Sequence, residues 1–129
     1  MACKPYRCTV ANYHLDGYGH VNNARYLEFL EAARWSFFAQ QGLQDVLRQA
    51  RLVVVRIDIR YRRAAVLDDV LDIVCQIQTL KSRQLCLRQT VQCAGRTVAE
   101  ADVTLSATDA AGNVVRLPDA LTCFLLKDK

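Results

Sequence analysis

Hydrophobic and polar positions change their spacing at Gly42. Before it, Tyr26, Leu27, Phe29, Leu30, Ala33, Phe37 and Phe38 recur three and four residues apart, which predicts a helix from Asn23 to Gln41. Asn22 or Asn23 suits the start as a cap, and Gly42 suits the left-handed position that ends a helix. Such a rod is about 28 Å long, and its wide apolar face predicts a helix embraced by a sheet. After Gly42 comes a short helical link around Asp45 to Ala50, and then the period becomes two. Val53, Val55, Ile57, Ile59 and Tyr61 alternate with Val54, Arg56, Asp58 and Arg60. The same alternation recurs in Leu71, Ile73, Cys75 and Ile77, in Leu85, Leu87, Gln89 and Val91, and in Ala99, Ala101, Val103, Leu105 and Ala107. Residues 109–113 form a turn into a short Val114-Val115 extension, which Leu117-Pro118 closes. Upstream, Tyr6 to Tyr13 reads as a first strand, broken by the glycines of Asp16-Gly17-Tyr18-Gly19. A strand, a long helix and about four strands joined as hairpins predict an α+β fold. The sheet is antiparallel, because links this short cannot make parallel crossovers.

At 129 residues the chain fits one domain, 1–129, with no repeat or linker-like segment. Apolar residues make up 52% and charged residues 23%, enough to build a core. No apolar run approaches the roughly 20 residues of a membrane-spanning helix, and no signal-like segment follows Met1 to Pro5. The expectation is a cytoplasmic protein with no membrane partner. Cys3, Cys8, Cys75, Cys86, Cys93 and Cys123 form no Cys-x-x-Cys pair and fall mostly in strand-like runs. They read as reduced core residues. A formal net charge of +4 suits an anionic small ligand. The basic residues are scattered, so no nucleic-acid stripe is expected.

The informative stretch is Leu15 to Leu27. It sets one carboxylate, Asp16, on a glycine turn just ahead of the long helix. Free N–H groups at a helix start carry partial positive charge and can hold an oxyanion. A carboxylate beside them suits acyl transfer. The plainer alternative is an Asp that only bonds the turn amides. Other chemistries fit less well. No serine is flanked as Gly-x-Ser-x-Gly. The only histidines are His14 and His20, without metal-site spacing. Gly17-x-Gly19 lacks the third glycine of a dinucleotide fingerprint.

Asp16, the glycine turn, Gly19-His20-Val21-Asn22-Asn23, Tyr26-Leu27 and Leu30-Glu31-Ala32-Ala33-Arg34 closely resemble the signature of the 4-hydroxybenzoyl-CoA thioesterase-like branch of the hotdog superfamily. Tyr61-Arg62-Arg63-Ala64 and Asp68-Asp69-Val70-Leu71 continue the likeness over nearly the whole chain. The resemblance implies a hotdog fold, a curved antiparallel sheet of about five strands wrapped around one long helix. It implies a homodimer or homotetramer with joined sheets and sites at the dimer interface. The implied activity is hydrolysis of an acyl-CoA, with coenzyme A as part of the substrate and no separate cofactor or metal. A carrier-protein thioester and a non-catalytic acyl-thioester binder are the alternatives on the same fold.

By the same resemblance Asp16 matches the catalytic carboxylate, as general base or nucleophile. The backbone N–H of Asn23 matches the group that polarises the carbonyl. His20 is placed to tune Asp16 or to hold the loop, and Gly19, Asn22 and Tyr26 are expected along the substrate. Lys81 and Arg83, in a turn between strands, are candidates for the coenzyme phosphates, with Arg62 and then Arg63 behind them. Many relatives carry a second carboxylate where this chain has His14, which alters local polarity. Tyr18, Phe29, Trp35 and Phe37 either line an acyl tunnel or fill the core.

Overall fold

The computed structural model describes residues 3–127. Its sheet is antiparallel, in the order β1 (Tyr6–Thr9), β3 (Val70–Leu80), β4 (Gln84–Cys93), β5 (Arg96–Thr108), β2 (Val53–Tyr61), with β6 (Val114–Val115) added to the end of β5. The long helix α1 (Asn23–Ala39) lies against one face, followed by the short α2 (Gln44–Ala50). This is the hotdog fold.

Register explains which face holds the helix. Tyr61, Ala99, Val91 and Ile73 lie in one row across the sheet, and Ile57, Val103, Leu87 and Ile77 in another. On that face Leu71, Ile73, Leu87, Val91, Ala99 and Val103 are almost wholly buried. They meet Tyr26, Phe29, Leu30, Ala33 and Phe38 of α1 in one cluster. Between the two rows sits Gln89, also fully buried. Its Nε2 donates to the Leu30 carbonyl at 3.0 Å and to Cys75 Sγ at 3.1 Å, so a buried amide pins α1 to β4. The outer face carries charges instead, with Arg88–Asp102 and Arg62–Glu100 pairs at 2.6 Å.

The structure departs from the sequence reading in five places. The first strand stops at Thr9, and residues 12–14 form a single 3-10 turn, because Val10 leaves the ladder to exchange bonds with the loop at Asp68 and Asp69. The long helix ends at Ala39, and Gly42 adopts the left-handed conformation (φ 72°) three residues later. A bulge between Val54 and Arg56 takes Val55 out of phase, so the alternation of β2 begins only at Ile57. A terminal helix, α3 (Asp119–Lys127), follows Pro118, where no helix was expected. Its buried Leu121 and Leu125 lie four apart, a spacing too short in sequence to stand out. Finally, the sheet covers only one side of α1 within a single chain: Leu27, Glu28, Glu31 and Trp35 stay exposed along the other.

The sheet has edges at the short β1 and at β2, and the β2 residues Val53, Val54 and Val55 are 43%, 41% and 52% exposed. Unpaired strand edges with apolar side chains invite pairing with another strand. No helix among the described residues is long and apolar enough to cross a membrane.

Candidate active site

The turn at Asp16 is built from its own backbone and side chain. Asp16 N–H donates to the His20 carbonyl at 2.7 Å, Gly19 N–H donates to the Asp16 carbonyl, and Gly19 takes φ 78°, which glycine adopts without a steric penalty. The carboxylate then splits its duties. Oδ1 accepts from the amides of Tyr18 (2.8 Å) and His20 (3.1 Å). Oδ2 has no protein donor among the described residues. The aspartate thus fixes its turn through Oδ1 and leaves Oδ2 without a protein donor.

The outgoing strand of the turn is clamped on both sides. Leu15 bridges Val21, His20 bridges Val66, and Val21 N–H donates to the Ala65 carbonyl at 2.9 Å. Asn22 N–H donates to the His14 carbonyl, and the Asn22 side chain accepts from Ala24 N–H at 2.9 Å. Asn22 is thus the helix cap, and its side-chain oxygen is already engaged. The next amide, that of Asn23, meets no acceptor among the described residues. A helix of seventeen residues stands behind it, so this N–H lies at the positive end of the helix dipole.

The other sequence candidates divide by location. His20 belongs to the turn through its backbone, with an exposed ring that no described residue binds. His14 accepts the Ala11 amide at Nδ1 and packs edge-on against Phe29, a holding role ahead of the turn. Tyr26 is 3% exposed, its hydroxyl accepting from the Ala65 amide beneath the turn. Arg62 is engaged by Glu100. Lys81 and Arg83 lie in the β3–β4 turn. Asp16 sits by the loop that enters β3, so the eleven residues of β3 separate them by about 33 Å. One chain does not bring those cations to that carboxylate.

Tyr61 was missed by the sequence reading. Its hydroxyl donates to the Asn23 carbonyl at 3.1 Å and its ring lies 5.3 Å from that of Tyr26, tying the end of β2 to the helix start. Its inward phase with Ile57 and Ile59 was visible, but a contact across 38 residues was not. Burial pushes the Tyr61 and Tyr26 phenols above their ordinary values. Of the tunnel candidates, Phe29 is core, Phe37 is half-buried and Tyr18 is exposed. Trp35 lines a cavity of about 300 Å³ between α1, α2 and the start of β2. Among the described residues no group of three His, Cys, Asp or Glu could hold a metal ion.

The sequence profile of the Thioesterase-like superfamily matches residues 10–125. The chain belongs to that superfamily. It is 45% identical over 109 residues to the long-chain acyl-CoA thioesterase FadM of Escherichia coli (strain K12), covering 78% of this chain and 79% of that protein. Among solved structures, the probable thioesterase YbaW from Escherichia coli matches with a TM-score of 0.84 and 39% identity, over 95% of this chain and 96% of that one. A thioesterase from Thermus thermophilus, complexed with coenzyme A and zinc, matches with a TM-score of 0.86 and 28% identity, over 97% and 98% of the two chains. The protein is a thioesterase.

Proposed function

We propose that this thioesterase hydrolyses an acyl-CoA to the free acid and coenzyme A, with Asp16 as the general base and the Asn23 amide as the oxyanion donor. The carrying observation is the pairing of a bare Asp16 Oδ2 with an unpartnered Asn23 N–H at the start of the helix that follows the turn. Asp16 Oδ2 takes a proton from water as the oxygen attacks the thioester carbonyl. Negative charge then builds on the carbonyl oxygen, where a preorganised amide stabilises it by about 3 kcal/mol. The tetrahedral adduct collapses, the C–S bond breaks, and the thiolate leaves with both electrons. A thiol of pKa about 8.5 departs without strong acid help, and the proton held by Asp16 returns to it or to solvent. No cofactor enters these steps. The name of the FadM relative and the coenzyme A in the Thermus structure support the choice of thioester.

The working unit in this reading is a homodimer joined through β2. Antiparallel pairing of β2 with its copy sets the end of one strand against the start of the other. Tyr61, which holds the start of α1, marks one end. Val53 marks the other, level with Ser106 and Gln84 and hence with the Lys81–Arg83 turn. Each carboxylate then works beside the phosphate-binding candidates of the other copy.

The test is thiol release from a panel of acyl-CoAs by the native protein and by Asp16→Asn. Asparagine keeps the Oδ1 acceptor for the turn amides but cannot take a proton. The expected result is an unchanged melting temperature and a loss of about a hundredfold or more in kcat/KM. Full activity in D16N overturns Asp16 as base. No thiol release by the native protein overturns acyl-CoA as substrate.

A further inference from the structure

The cavity beside Trp35 contains a charge that the proposed reaction does not use. Arg34 lies on α1 and is only 9% exposed. Its Nη1 donates to Gln89 Oε1 at 3.1 Å, and no other N–H of the guanidinium meets a protein acceptor among the described residues. An arginine has five such donors. No carboxylate of the described residues lies within ion-pair distance of it. Glu31, one turn earlier on the same helix, lines the same cavity and acts on Arg34 only through its field. The remaining walls are apolar, from Trp35, Phe38, Leu47, Leu52, Val53, Val54 and Leu105. Burial lowers the Arg34 pKa, yet a guanidinium keeps its charge throughout the working range of an enzyme. Burying such a charge is costly unless something accepts its protons.

We propose that this cavity takes the acyl chain and that Arg34 and Glu31 together select a chain bearing a hydroxyl group. A hydroxyl both donates and accepts, so it satisfies an Arg34 N–H and a Glu31 carboxylate at once. A second carboxylate on the chain would meet repulsion from Glu31, and an unsubstituted chain filling the cavity would shut water away from the Arg34 N–H groups without replacing it. At about 300 Å³ the space lies at the lower end of small-molecule clefts, which suits part of one chain. Access also fits. The cavity sits at the start of β2, and the dimer proposed above brings the other copy's helix start to that end of the strand. The inference rests on that acyl-CoA reading, but its binding test does not require turnover.

The chain has a single tryptophan, Trp35, so its fluorescence reports on this cavity. The experiment titrates the native protein, Arg34→Met and Glu31→Gln with myristate, its monohydroxylated positional isomers and the matching dicarboxylate. The three proteins are first compared by melting temperature. At least one hydroxy isomer should bind the native protein about tenfold or more tightly than myristate. R34M should bring that isomer level with myristate, and E31Q, which keeps the shape of the side chain and removes its charge, should lower the preference part-way. Equal binding of all chains, or a preference that survives in R34M, overturns the proposal. Tightest binding of the dicarboxylate overturns the hydroxyl and identifies an anion site. Hydrolysis of the corresponding CoA esters separates the two readings. A hydroxyl preference in binding without any thiol release removes the acyl-CoA reading alone, and thiol release without a preference removes this one alone.

Discussion

The two oxygens of Asp16 have different surroundings. Two turn amides hold Oδ1, while Oδ2 has no protein donor among the described residues. A single carboxylate thereby orders a five-residue turn and keeps a basic oxygen for water. The thiol of Cys75 shows the opposite use of burial. Its surroundings push its pKa from 9.0 to about 11, a rise that desolvation causes and that the Gln89 hydrogen bond and Arg34 only partly offset. The folded protein thus keeps the proton when the unfolded chain has lost it. This contribution to stability is fully present below pH 9 and is lost as the pH rises through about 11. Cys75→Ala should flatten that part of the stability curve, as urea denaturation at stepped pH would measure. Native Cys75 should also resist alkylation at pH 8 until the protein is unfolded, which peptide mass mapping would check.

At the level of single elements, α1 is the piece on which the site depends. Its cap is Asn22, its first amide is the proposed oxyanion donor, and its next turns carry Tyr26, Phe29 and Leu30 into the core. Asn22→Ala should cost about 1 kcal/mol, a fall of about 4 °C in melting temperature. Asn22→Asp restores a side-chain acceptor, and should recover the stability. If capping is the whole role of Asn22, N22D recovers hydrolysis along with the melting temperature. A substrate contact through the amide NH₂ would instead leave N22D stable and slow. A cap at Asn22 or Asn23 was legible from the edge of the helical period, and the Asn22 bond to the Ala24 amide decides between the two. The shortened first strand was not, because Val10 is a good sheet residue whose partners, Asp68 and Asp69, lie far along the chain.

On the scale of the whole molecule, one chain leaves its parts at opposite ends. Asp16, Asn23 and Tyr61 gather where β3 begins, whereas Lys81, Arg83 and the cavity lie where β2 begins. In the homodimer proposed above, the exposed valines of β2 are the edge through which a second copy would complete the arrangement. Complementation tests this directly. An Asp16→Ala copy and a Lys81→Ala/Arg83→Ala copy should each be poorly active alone at subsaturating acyl-CoA. Mixed by refolding, they should regain activity, because half of the mixed dimers' sites combine an intact Asp16 with intact cations. A mixture no more active than its parts would show that the two halves of the site do not meet across the dimer.

The sequence by itself determined the fold class, the order of the main elements and the position of the carboxylate. Those properties are local: a period of two or of 3.6, a glycine turn and an aspartate followed by a capped helix are all written in neighbouring residues. Its likeness to known thioesterases named the chemistry before any contact was visible. Tertiary structure alone decided that Oδ2 of Asp16 is the free oxygen, that Tyr61 locks the helix start, and that Gln89 and Arg34 meet beside a cavity. It also decided that Lys81 and Arg83 stand far from the Asp16 of their own chain. Each of these depends on register between strands distant in sequence. Register is set by the collective burial of one sheet face, which no short window of residues contains.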